Sequence, residues 1–290
     1  MTTAALSAGR RRQTSFAVFV ALALLWQVLS VAYPVEAAPG EPMVPGWQVL
    51  FTRTLLSMAD YWQGGLGVPS VAEGAERTYL AAVLSLLSHT LATLLRLACG
   101  LLLGWLAGLA LGLAVSWSPW SRRLVELPLQ FVRTLPLLAM VPLFQLWFGT
   151  FFLGQILFVA YGIGVIVFAG AVNAVRNVPQ IYIDNARTLG ASQMTVYRTI
   201  ILPAILPEMR STVLLSLGTG WGAVLGAEYL GAQSGLGYII VYAAQFAYLD
   251  RMFLIALLFI LYTSLSYWAA GRITGRMLEW AVSSYRQDPP

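Results

Sequence analysis

Apolar runs separated by short polar stretches make up most of the chain, and several exceed the roughly 18 residues that a bilayer-spanning helix needs. A membrane barrel would show short alternating strands instead, so helices are predicted. Six spans follow: residues 15–33, a long run 79–115 whose span proper starts near Leu84, 129–147, about 155–172, about 209–230 and about 252–270. In the second, Gly100, Gly104, Gly108 and Gly112 fall at every fourth position, forming one helix face on which a neighbouring backbone can pack closely. Pro136 and Pro142 predict a kink in the third.

The connections differ in length and chemistry. Residues 34–77 are rich in Pro and Gly and more acidic than basic. Within them Trp47, Leu50, Phe51, Leu55, Met58 and Trp62 recur every three to four positions, which fits either a helix lying in the membrane interface or a loop with scattered apolar residues. Residues 116–128 read as a short turn, and the Gly-rich stretch 231–250 can dip back into the membrane if protein or water satisfies its backbone. The chain thus divides into 1–78, with the first span and an external segment, a five-span core over 79–273, and a tail over 274–290.

One connection is too long and too polar to be a plain link between packed helices, which usually takes about 2–8 residues. It is DNARTLGASQMTVYRTIILP, residues 184–203, inside a loop of about 174–207. Pro179 can start a short helix, Gly190 can end it in the left-handed conformation, and Ser192 can cap a second. Pro203 then punctuates the approach to the fifth span.

Composition agrees with a membrane chain: 59% of residues are hydrophobic and 10% charged, against about 25% charged in soluble domains. All 17 basic residues are arginine, and their distribution gives the topology. Arg10, Arg11, Arg12, Arg122, Arg123, Arg176, Arg187, Arg198, Arg272, Arg276 and Arg286 fall on one side, against Arg53, Arg77 and Arg251 on the other. The positive-inside bias predicts both termini in the cytoplasm and the first span retained, although the N-terminal pattern is also that of a cleavable signal. A phosphate-binding loop needs a lysine, which the chain lacks. With one histidine, His89, and one cysteine, Cys99, two-histidine zinc motifs and thiol pairs are excluded too, and both residues read as packing groups in a helix. No catalytic, cofactor or metal site is predicted. Three charged residues are candidates for a pathway: Arg96, deep in the second span, which must pair or line a polar route; Arg133, which can snorkel; and Glu228, near the end of the fifth span.

The long polar loop also carries a spacing. Asp184-Asn185-Ala186, Gly190, Ile200 and Leu202-Pro203 resemble the cytoplasmic signature of ABC-importer permeases, E-A-A, three residues, G, nine residues, I, one residue, L-P. Asp replaces the first Glu and Asn the first Ala. TLLRLACGLLLGWLAGLALGL from Thr93, RTLPLLAMVPLFQLWFG from Arg133 and SGLGYII from Ser234 resemble the nitrate, sulfonate and taurine group of that family. The resemblance implies an all-α, type I importer permease in the bacterial inner membrane, paired with a second copy. Two ATPase subunits, which bind ATP and Mg, would dock on the 184–203 loop, and an extracytoplasmic binding protein would deliver a small, anionic solute. An ion-coupled secondary carrier, which would need carboxylates near the midplane, a vitamin-importer scaffold, whose Ala-Arg-Gly pairs are absent, and a plain membrane anchor are the competing readings.

Overall fold

The computed structural model describes residues 3–229 and 231–278; Leu230 and the segment with Arg286 lie outside the described residues. Five of its helices are long and apolar enough to cross a membrane, and a sixth span arises if one bent helix pair is counted as a unit. The chain forms two compact units, Met1–Ser88 with Ile239–Leu258, and His89–Tyr238 with Phe259–Pro290.

The first unit contains α1 (Thr3–Ala32), a two-stranded hairpin of β1 (Glu36–Ala38) and β2 (Glu41–Pro42), and a helical segment α2 over 47–61. Phe16, Phe19, Leu22, Leu24 and Val28 of α1 are left bare, the first two about 70% exposed, as expected of a span whose covering is lipid. Of the two readings of residues 47–62, the helix is found, with most of its apolar side against protein and Phe51 exposed. Leu50, Met58, Tyr61 and Trp62 are buried. Trp47 donates its indole N–H to Ala23 O at 2.9 Å, and Trp26 stacks edge-on against Phe253 at 4.8 Å. Thr54 Oγ1 donates to Asp250 at 2.6 Å, and Asp60 bridges Arg77 at 2.7 Å and Arg251 at 3.0 Å. Burial pushes the Tyr61 phenol up to about 12 despite the Arg251 guanidinium beside it. Burial also raises the Glu41 carboxyl, with the Asp250 carboxylate acting in the same direction.

The second unit is built on α3 (Tyr79–Trp117), of which it contains the part from His89, and α6 (Phe152–Arg176). The four glycines of α3 lie against α6. A Cβ on Gly104 would sit 2.7 Å from Ala160 O, one on Gly108 2.5 Å from Gly164 O, and one on Gly112 2.6 Å from the Ala171 methyl. No side chain fits there, so the helices meet backbone to backbone, which gives van der Waals packing where lipid offers no hydrophobic drive. Around this seam Phe158, Val159, Ile163, Val167, Ile205 and Val224 form the core.

Two elements differ from what the sequence predicts. Residues 116–128 are not a turn: Ser118 caps a regular helix, α4 (Pro119–Thr134), with Pro at its start where the missing N–H costs nothing. The third span is broken rather than kinked, its halves bent by 98°. Leu135 precedes Pro136 and is thereby held out of the α region, with ψ at 129°, so the helix must stop before α5 (Val141–Phe148) begins. Pro142 sits in the first turn of α5, where it is tolerated.

Candidate functional site

The 184–203 stretch folds as a hairpin of two helices. α7 (Gln180–Thr188) follows Pro179, and Gly190, at φ +80°, ends it. The Gly190 N–H reaches Arg187 O and the Ala191 N–H reaches Ala186 O, both at 3.0 Å, the paired bonds of a Schellman cap. Ser192 then accepts from the Thr195 N–H at 3.2 Å and starts α8 (Gln193–Tyr229). Pro203 does not separate a second short helix from the fifth span, as expected from the sequence. Instead α8 is continuous, and a π-helical turn, Tyr197–Ile201, lies just ahead of the proline. That wider turn relieves the clash a proline ring makes with the carbonyl four residues back.

This hairpin has two faces. Ile183, Ala186 and Ile200 pack on the core, Tyr197 and Ile201 are buried, and Tyr197 meets Trp117 at 4.6 Å. Asp184, Asn185 and Gly190 are exposed, beside Ile181, Tyr182 and Leu189, whose apolar side chains are 60%, 57% and 88% exposed. Asp184 accepts a hydrogen bond from Gln180 at 3.0 Å. An apolar patch of this kind, framed by polar groups on a short rigid helix, is the form of a protein-docking surface. Beside it opens a cavity of about 520 Å³ edged by Arg122, Arg176, Arg187 and Glu126, in which Glu126 bridges Arg122 and Arg176.

Arg96 and Glu228, two of the three pathway candidates, come together at the far end of this unit. Arg96 Nη1 donates to Glu228 Oε1 at 2.8 Å, with the two residues 3% and 1% exposed. Glu228 is therefore held away from water and caps the first turn of the helix Leu236–Gln245. Its other oxygen accepts from Thr93 Oγ1 at 3.0 Å and from the Gly237 N–H at 2.9 Å, while Arg96 Nη2 donates to Ser234 Oγ at 2.8 Å. The Gly235 N–H donates to His89 Nδ1 and the Leu236 N–H to Thr93 Oγ1, both at 2.9 Å. His89 is thus a polar anchor rather than a packing residue. Only glycine fits at position 235: φ is +110°, and a Cβ would enter the Glu228 carboxylate. His89, Thr93 and Arg96 lie on one face of α3 by their spacing of four and three, a signal present in the sequence. Arg133 is exposed in the last turn of α4 and is not part of this network.

Residues 100–279 match the family described as binding-protein-dependent transport system inner membrane component. The chain is 33% identical over 263 residues to the putative aliphatic sulfonates transport permease protein SsuC of Bacillus subtilis, covering 87% of this chain and 94% of that one. It is 34% identical over 166 residues to the taurine transport system permease protein TauC of Escherichia coli, a match that covers 57% of this chain and 60% of the relative. Among solved structures, an inward-facing MetNI methionine ABC transporter is similar in fold, with a TM-score of 0.55 at 23% identity over 63% of this chain and 91% of that one. The chain therefore belongs to the binding-protein-dependent inner membrane components, as an ABC permease of the nitrate, sulfonate and taurine group with the type I importer fold.

Proposed function

We propose that this subunit, which has no catalytic step of its own, forms with a second copy the import pathway for a small organic anion of the sulfonate type. Motion would enter through Asp184, Asn185, Ala186, Gly190, Ile200, Leu202 and Pro203. The observation that carries this reading is α7, a rigidly capped helix with exposed Ile181, Tyr182 and Leu189, joined by a tight turn at Gly190 to an unbroken 37-residue helix that reaches Glu228. Two cytoplasmic ATPase subunits, holding ATP and Mg, would receive α7 in a cleft; closing them would then swing α8 as one lever. The same orientation puts both termini in the cytoplasm, and the binding protein would dock at the opposite face. Names of the sulfonate and taurine relatives support the solute class. Arg133, Arg96 and Glu228 remain the candidates for contact with the route, and the glycines at 100, 104, 108 and 112 hold its wall. The pairing of Glu228 with Arg96 weighs against a secondary carrier, since that carboxylate is already engaged.

Reconstitution in liposomes with a cognate ATPase and binding protein tests the reading. Uptake of an alkanesulfonate should require ATP and the ATPase. Uptake driven by an ion gradient with the permease alone would overturn it.

A further inference from the structure

A second cavity, of about 250 Å³, lies beside the Arg96–Glu228 pair, and two of its wall residues carry buried polar atoms with no hydrogen-bond partner. One is Arg96 Nε, a donor; its two terminal nitrogens are already engaged by Glu228 and Ser234. The other is Gln155 Oε1, an acceptor on a side chain whose amide N–H donates to Thr150 O at 2.8 Å. Gln155 is 6% exposed and Arg96 3%, so bulk water does not reach these atoms freely. A buried polar group without a partner is costly, by about 1–3 kcal/mol each. Two of them on one cavity, a donor and an acceptor, together match a molecule with one acceptor and one donor of its own.

We propose that this cavity is a solute contact within the membrane pathway, and that Gln155 makes it selective for solutes carrying a hydrogen-bond donor as well as an anionic end. The proposal rests on the import function proposed above. The chemistry follows from the walls. The Arg96 charge is balanced by Glu228, so the cavity offers no net positive charge to a simple anion. What it offers is one N–H of a guanidinium and, separately, one carbonyl oxygen. An acidic oxygen of the solute accepts from Arg96 Nε–H, and an ammonium or hydroxyl group donates to Gln155 Oε1. Phe152, whose ring lies 5.2 Å from the Arg96 guanidinium, adds an aromatic face that tolerates a cation. The space corresponds to roughly eight waters at about 30 Å³ each, enough for a solute of a few carbons with two polar ends. Water can fill the same positions, and a solute that matches both ends replaces it without loss of hydrogen bonds.

The test compares ATP-driven uptake of 2-aminoethanesulfonate and ethanesulfonate, which differ by one amino group, in liposomes containing permease, ATPase and one binding protein. The binding protein is the same for wild type and variant, so a changed ratio belongs to the permease. Gln155→Met keeps the size of the side chain and removes the acceptor together with the N–H that holds Thr150 O; the preference for the amino compound over ethanesulfonate should fall about tenfold. An unchanged ratio overturns the proposal. If Gln155→Met does not assemble, Gln155→Glu decides, because it keeps an acceptor and adds charge: the ratio should rise, and a constant or lower ratio overturns the proposal. Failure of the wild type to import either compound under ATP would sink the import reading itself, and this proposal with it.

Discussion

Glu228→Ala is expected to strip this protein of a large part of its stability. Three donors converge on that carboxylate: Arg96 Nη1 at 2.8 Å, Thr93 Oγ1 at 3.0 Å and the Gly237 N–H at 2.9 Å. Alanine leaves all three without an acceptor and leaves the Arg96 charge buried alone. Removing one partner of a buried pair costs about 3–5 kcal/mol, much more than the pair itself contributes relative to an apolar substitute. The order of a variant series follows from that asymmetry. Glu228→Gln keeps an acceptor oxygen and should lie between wild type and Glu228→Ala. The double variant Arg96→Leu with Glu228→Leu removes both charges together and should recover part of the loss. The midpoint for thermal loss of the monodisperse peak in detergent measures all three, and a Glu228→Ala midpoint equal to wild type would show that the pair does not hold this end of the unit.

The second large effect is on coupling rather than on stability. Gly190 sits at φ +80°, and nothing lies within 4 Å of where its Cβ would be, so a substitution there acts through the backbone and not through a clash. A β-branched residue in that region is strained by about 1–3 kcal/mol, enough to undo the two capping bonds to Arg187 and Ala186 and the angle between α7 and α8. Gly190→Val should therefore abolish solute-stimulated ATP hydrolysis in the assembled transporter while leaving membrane insertion intact. Gly190→Asn should retain most of the stimulation, because asparagine enters the left-handed region at low cost. Full stimulation in Gly190→Val would refute the lever.

Much of this arrangement is legible in residue order, for identifiable reasons. A glycine at every fourth position specifies a helix face by geometry alone. Pro179, Gly190 and Ser192 act on their immediate neighbours, so they mark the ends of α7 and the start of α8. Effects that depend on long-range partners are not legible in this way. Arg96 and Glu228 are 132 positions apart, and nothing local says that a charge deep in one span meets a carboxylate near the end of another. Residues 47–61 have the spacing of a helix, but whether its apolar face meets lipid or Trp26 and Tyr242 is decided by tertiary packing. The third span breaks more sharply than a proline ring inside a helix would suggest, because the larger effect of Pro136 falls on Leu135 before it. Pro203 interrupts less than its ring would suggest, since a π-helical turn accommodates it.

The most direct test of ATPase docking through α7 is a cysteine cross-link. With Cys99→Ser as background, Asp184→Cys places a thiol on the exposed side of α7, and Leu66→Cys, on a residue 85% exposed in the connection after the first span, serves as the comparison on the opposite side of the proposed topology. In membranes containing the assembled transporter, a short thiol-reactive linker should join Asp184→Cys to the ATPase subunit and leave Leu66→Cys free of that product. A cross-link to the ATPase from Leu66→Cys, or none from Asp184→Cys while the complex hydrolyses ATP, would contradict docking through α7.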